Sequence, residues 1–243
     1  MDHASSQLQP FPTTQWSLLQ LAGGEDPEKR QRALAEICQL YWPPVYSFIR
    51  SRGHSEHDAQ DLTQGLFEEL LKRNDFAKAD HHHGRLRSYL RTAAKNHLAS
   101  DYRHQHQLKR GGNATIQSID TSDAEARCLT PELVDTLTPD RVFDRQWAIT
   151  LMENVIQKLR QRYEEMGKSD LFDALRPCIL TTLPPNTQTG LAGRLGLSEQ
   201  ALRVAIHRLR QRYAVVLRQV VKSTLVPGQD VDEELAFLME TFH

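Results

Sequence analysis

The sequence predicts an all-α fold: two small helical domains joined by a flexible linker, the second carrying a helix-turn-helix. Three observations lead there. Apolar residues recur at helical spacing almost throughout, strand-like alternation is nearly absent, and one weakly periodic stretch divides the chain. That stretch, 111–137, opens on Gly111-Gly112 and is rich in Ser, Thr and Asp. The domains are therefore placed at 1–110 and 138–222, with an acidic extension over 223–243.

The periodicity predicts helices near 13–22, 28–41, 44–51, 56–73, 85–108, 139–166, 169–181, 187–195, 199–221 and 231–242. Gly23-Gly24, Pro43-Pro44, Arg52-Gly53, the segment 81–84 and Pro184-Pro185 punctuate them. In the fourth helix Leu62, Leu66 and Leu70 lie four apart with Phe67 beside them, giving one face to bury. Ser55 and Asp58, three residues apart, form a start of the capping-box type. The same helix carries Asp58, Gln60, Asp61 and Gln64 on polar positions. These are either a solvated back or a gripping surface.

At 243 residues, 39% hydrophobic and 25% charged, the chain suits a soluble helical protein. No apolar run approaches a membrane span, and no signal peptide is visible. Cys38, Cys128 and Cys178 are far apart and form no CxxC pair, so a disulfide framework is not expected and a reducing cytoplasm is. No nucleophile–base set, phosphate loop or metal cluster stands out, so no enzyme activity and no cofactor are expected. His81-His82-His83 are three consecutive residues that do not readily converge on one ion.

The net charge of −1 conceals a segregation. Residues 84–112 hold seven Lys/Arg against one acid, Asp101, and residues 176–222 hold eight against one, Glu199. Two basic islands, each on a predicted helix, point to two contacts with a polyanion. In the second island Leu191, Ala192 and Leu195 line a short helix, and Gly196 sits at a sharp turn plugged by Leu197. Ser198 caps the following helix, which is buried through Leu202, Ile206 and Leu209. This spacing fits a helix-turn-helix. Ser198, Gln200, Arg203, Val204, His207, Arg208 and Arg210 are the candidate DNA contacts, with Arg203 able to read guanine. Gly190 and Gly193 weaken the first helix of the pair. In the first island Leu86, Tyr89, Leu90, Ala93, Ala94 and Tyr102 give a buried stripe. The cations and Asn96 on the other faces suit phosphate tracking and contact with unstacked bases.

"DAQDLTQGLFEELL" resembles the region 2 helix of bacterial sigma factors, whose pattern runs Asp-Ala-x-Asp-Leu-x-Gln-x-x-Phe. "LRSYLRTAAKNHLASDYR" resembles that family's promoter-melting helix, with Lys95, Asn96 and Asp101 nearly keeping its pattern, and the helix-turn-helix resembles region 4. Two such domains with no intermediate domain resemble the extracytoplasmic-function (ECF) group of the sigma-70 family. The resemblance implies a transcription initiation factor that takes RNA polymerase core to promoter DNA. Domain 1–110 would bind the polymerase clamp helices and open the −10 element, and domain 138–222 would read the −35 element. It implies polymerase contacts at Asp58, Asp61, Leu62, Gln64, Phe67 and Glu68. It implies −10 contacts at Arg85, Arg87, Ser88, Tyr89, Arg91, Lys95, Asn96 and Arg103, with the loop 74–84 beside them. An anti-sigma factor or a regulatory kinase stays open as a partner, and no membrane is expected. The chain departs from the family at Gly65, Gly190, Val204 and Ala205, where Glu, an acid, Ser and Arg are common.

In the extension Val231, Leu235, Leu238 and Phe242 form a stripe with acids opposite. A helix docked on the second domain, completing its small core, is expected. The alternative is a shield over the basic recognition helix. Two rival functions are a repressor or activator that binds DNA without polymerase, and an interaction protein that sequesters a partner.

Overall fold

The computed structural model describes Leu18, Leu21, Ala22, Gly24 and residues 26–72, 85–107, 136–226 and 228–243. The loop 74–84 with its three histidines, Cys128 and nearly all of the expected linker lie outside the described residues. Those described are all-α, with no strand among them. None of their helices is long and apolar enough to cross a membrane.

Helix α1 spans Pro27–Arg50, α2 Glu56–Lys72, α3 Leu86–Gln107 and α4 Pro139–Glu165. Helix α5 spans Ser169–Leu175 and runs into a 3-10 turn, Arg176–Cys178. Helix α6 spans Pro185–Arg194, α7 Glu199–Thr224 and α8 Val231–Glu240. The starts follow local chemistry. Asp26 accepts the backbone N–H groups of Glu28 and Lys29 at 3.1 and 3.3 Å, and Pro27 fills the first helical position. Ser55 Oγ accepts the N–H of Asp58 and donates to its carboxylate at 2.6 Å, so the expected Ser55–Asp58 cap is present.

One expected break does not occur. Pro43 and Pro44 lie inside α1, which runs unbroken through both. Each proline costs a helix about 3 kcal/mol. Every residue from Tyr41 to Ile49 is buried, however, and each large apolar side chain recovers about 1.5–3 kcal/mol. Tertiary burial outweighs propensity.

Contacts divide the chain into two units, Met1–Thr150 with Lys222–His243, and Leu151–Val221. In the first, α1, α2 and α3 pack on one another around Ile37, Val45, Phe48, Leu66, Leu86 and Leu90. Trp42 stacks on Phe67 with centroids 5.7 Å apart. The first half of α4 joins this core: Phe143 meets Phe48 edge-on at 6.4 Å, and Trp147 is 2% exposed. In the second unit Val155, Leu159, Tyr163, Phe172, Leu175, Leu202, Leu209 and Tyr213 are buried. Tyr163 packs on Phe172 at 5.3 Å and lies under the Arg212 guanidinium.

The tail corrects a second expectation. Helix α8 belongs to the first unit and not to the core of the second. There buried Glu234 receives Arg85 and Arg87 of the first basic island, Leu238 is buried, and the Phe237 ring lies on Arg87.

Candidate nucleic-acid and partner surfaces

Three surfaces carry the residues singled out by the sequence. The first is the polar face of α2. Asp58 is exposed and accepts the hydroxyl of Ser55, which caps the helix, and the Asp61 side chain is 68% exposed, 3.9 Å from His57. Gln64 Nε2 donates to Glu68 Oε1 at 3.0 Å. Leu62 lies half-buried at the edge. Phe67 is 2% exposed beneath Trp42, so it belongs to the core and offers a partner no surface in this fold. Gly65 of α2 faces His97 of α3, with room for a Cβ at ordinary contact distance. A Cβ there would lie 3.4 Å from His97 Nε2, and His97 Nδ1 pairs with Glu69 at 2.8 Å.

The second surface is α3, which the structure splits in two. One face bears Tyr89, Thr92, Asn96 and Arg103, which with Leu66, Glu69, Leu70 and His97 line a cleft between α2 and α3. Asn96 and Arg103 are exposed, and the Arg103 guanidinium folds back to the Ala99 carbonyl at 3.1 Å. Ser88 is half-buried, its carbonyl accepting the Thr92 hydroxyl.

The other face of α3 carries cations that already have carboxylate partners. Arg87 is 5% exposed and grips Glu234 through two parallel bonds, Nε to Oε1 at 3.0 Å and Nη2 to Oε2 at 3.2 Å. Its guanidinium lies 3.8 Å from the centre of the Phe237 ring and 4.9 Å from that of Trp147. Arg85 Nε reaches Glu234 at 3.0 Å, Arg91 reaches Asp144 at 2.7 Å, and Lys95 reaches Asp140 at 2.8 Å. Arg87 as folded is therefore no DNA contact, because it is buried and fully engaged. Dehydration holds the Glu234 and Asp144 carboxyls above the usual carboxylate range, against the pull of these arginines, and holds Arg87 below the usual guanidinium range. Charge runs gave the sign of this face. They did not give its partners, which lie many residues away.

The third surface is in the second unit. After helix α6 the chain turns at Gly196, with φ +63°, and the Leu197 N–H bonds back to the Ala192 carbonyl at 3.0 Å. Ser198 Oγ accepts the N–H of Ala201 at 3.1 Å and starts α7. Glu199 then accepts the Thr189 hydroxyl at 2.7 Å, tying the two helices together. Gln200, Arg203, Val204, His207 and Arg208 are exposed. Ser198, Gln200, Ala201, Val204, Ala205 and Arg208 border a shallow groove. Arg210 differs from its neighbours: its guanidinium donates to the carbonyls of Cys178 and Thr181 at 2.9 and 3.1 Å. It closes the end of the 3-10 turn.

No cluster of His, Cys, Asp or Glu suited to a metal occurs among the described residues. No curated protein and no solved structure matches the chain. Residues 38–107, from the middle of α1 through α2 to the end of α3, match the family model of sigma-70 region 2.

Proposed function

We propose that this protein is an RNA polymerase sigma factor of the extracytoplasmic-function group, acting in the cytoplasm. It directs core polymerase to promoters and helps open them. The observation that carries this reading is the region 2 match falling on the three packed helices α1–α3.

The polar face of α2, with exposed Asp58 and Asp61 and half-buried Leu62, Gln64 and Glu68, docks on the polymerase clamp helices. Phe67 holds that face in place from the core. The cleft bordered by Tyr89, Asn96 and Arg103, with Ser88 nearby, receives unstacked bases of the −10 element. In the second unit the helix-turn-helix formed by α6 and α7 presents Gln200, Arg203, Val204, His207 and Arg208 to the −35 element. Melting by such a protein is differential binding. Unstacking a base costs a few kcal/mol, and contacts available only to the single strand must return it.

Binding of the full-length protein to purified bacterial core polymerase tests the reading, followed by size-exclusion chromatography. A stable complex is expected, weakened when Asp61 and Gln64 are both changed to Ala. Failure of the wild-type chain to associate, together with tight binding to duplex DNA on its own, would favour a polymerase-independent repressor or activator.

A further inference from the structure

The basic face of α3 is neutralised from within. Arg87, Arg91 and Lys95 are spaced four apart and so share a helix face. Each meets a carboxylate: Glu234, Asp144 and Asp140, with Arg85 joining Arg87 on Glu234. Cations of this kind on a nucleic-acid-binding helix would be expected to meet phosphates. Here three side-chain acids from two other elements stand in their place.

The hold exerted by α8 centres on an ion pair, with Leu238 buried beside it and the Phe237 ring on the Arg87 guanidinium. Only Glu234 and Leu238 of its ten residues are buried, and Met239 on the same helix is 67% exposed. A helix meant simply to complete a core would do better with apolar side chains, because a buried ion pair loses much of its attraction to dehydration. An ionic contact has a different property: another anion can replace it. The Arg87 fork that grips the two Glu234 oxygens matches a phosphate equally well.

We propose that α8 is an autoinhibitory latch, with Glu234 occupying the place of a nucleic-acid phosphate on Arg85 and Arg87 until polyanion binding displaces it. This rests on the nucleic-acid reading of α3 given above.

The test uses the full-length protein and a fluorescein-labelled single-stranded oligodeoxynucleotide of mixed sequence, read by anisotropy across a salt series. The variants are Glu234→Gln, Phe237→Ala and, as a control, Glu240→Gln. The control removes one charge from the exposed end of the same helix. Glu234→Gln is expected to bind several-fold tighter than wild type. Freeing Arg85, and releasing Arg87 to Asp144 alone at 3.8 Å, should steepen its salt slope by roughly 0.7–1.4, at about 0.7 per phosphate contact on a single strand. Phe237→Ala should move in the same direction, and Glu240→Gln should match wild type. Equal affinities and slopes for all four proteins would overturn the latch and leave the nucleic-acid reading standing. Loss of helical circular dichroism in both Glu234→Gln and Phe237→Ala would overturn it too, by showing the contact to be a folding element. Absence of binding by every protein would remove the nucleic-acid reading of α3, and the latch with it.

Discussion

Three glycines within seven residues should respond to the same substitution with opposite signs. Gly190 and Gly193 lie inside α6, and a Cβ on either would meet nothing within 4 Å. Changing either to Ala removes unfolded-state freedom without a clash, so each should stabilise by about 0.5–1 kcal/mol. Gly196 also has open space around its Cβ position, but its φ is +63°. The cost of Gly196→Ala is therefore one of backbone conformation and not of packing, about 1–2 kcal/mol. Asn, which tolerates the left-handed region, should cost less. The contacts form two units, so global unfolding is a poor reporter, and hydrogen exchange of the α6 amides in the full-length protein is the assay. Exchange should quicken roughly 5–30-fold in Gly196→Ala and slow about 2–5-fold in each of the other two. A neutral Gly196→Ala would refute the left-handed turn. A destabilising Gly193→Ala would refute the claim that the free chain leaves that face open.

Other consequences follow from the same geometry. Phe67→Ala should destabilise the first unit by about 3–5 kcal/mol in urea titrations, whereas Asp61→Ala, at the surface, should stay within about 0.5 kcal/mol. Arg203→Ala should weaken duplex binding by about 1–3 kcal/mol and relax its sequence preference, with little change in the salt slope. Arg210→Ala should leave that slope unchanged while costing the second unit about 1–3 kcal/mol, since it abandons two carbonyls. Burial pushes the Cys38 thiol up to about 11. Its thiolate fraction, and hence its native alkylation rate followed by peptide mass spectrometry, should rise about tenfold per pH unit from neutral towards that value. A plateau near pH 9 would show an ordinary, accessible thiol.

Much of the fold could be read from local signals because those signals are local in cause. The Ser55–Asp58 and Ser198 caps, the Gly196 turn and the apolar stripes of α2, α3 and α7 depend on residues only a few positions apart. The errors share the opposite origin. Pro43-Pro44 suggested a break because propensity does not register that the surrounding turns are wholly buried. Asp140, Asp144 and Trp147 looked like the opening of a second domain, yet their side chains reach back to α3 and α1. Glu234 looked like one more solvated acid. The basic island announced its charge but not its partner, and the distance from Arg87 to Glu234 along the chain puts that pairing beyond any local pattern.

Run-off transcription from a pool of promoter fragments by purified core polymerase, with and without the full-length protein, tests the central claim most directly. Discrete starts that appear only with the protein, and disappear when Asp61 and Gln64 are both Ala, are the predicted result. No starts, with tight DNA binding by the protein alone, would contradict a sigma factor and leave α2 as an ordinary core helix.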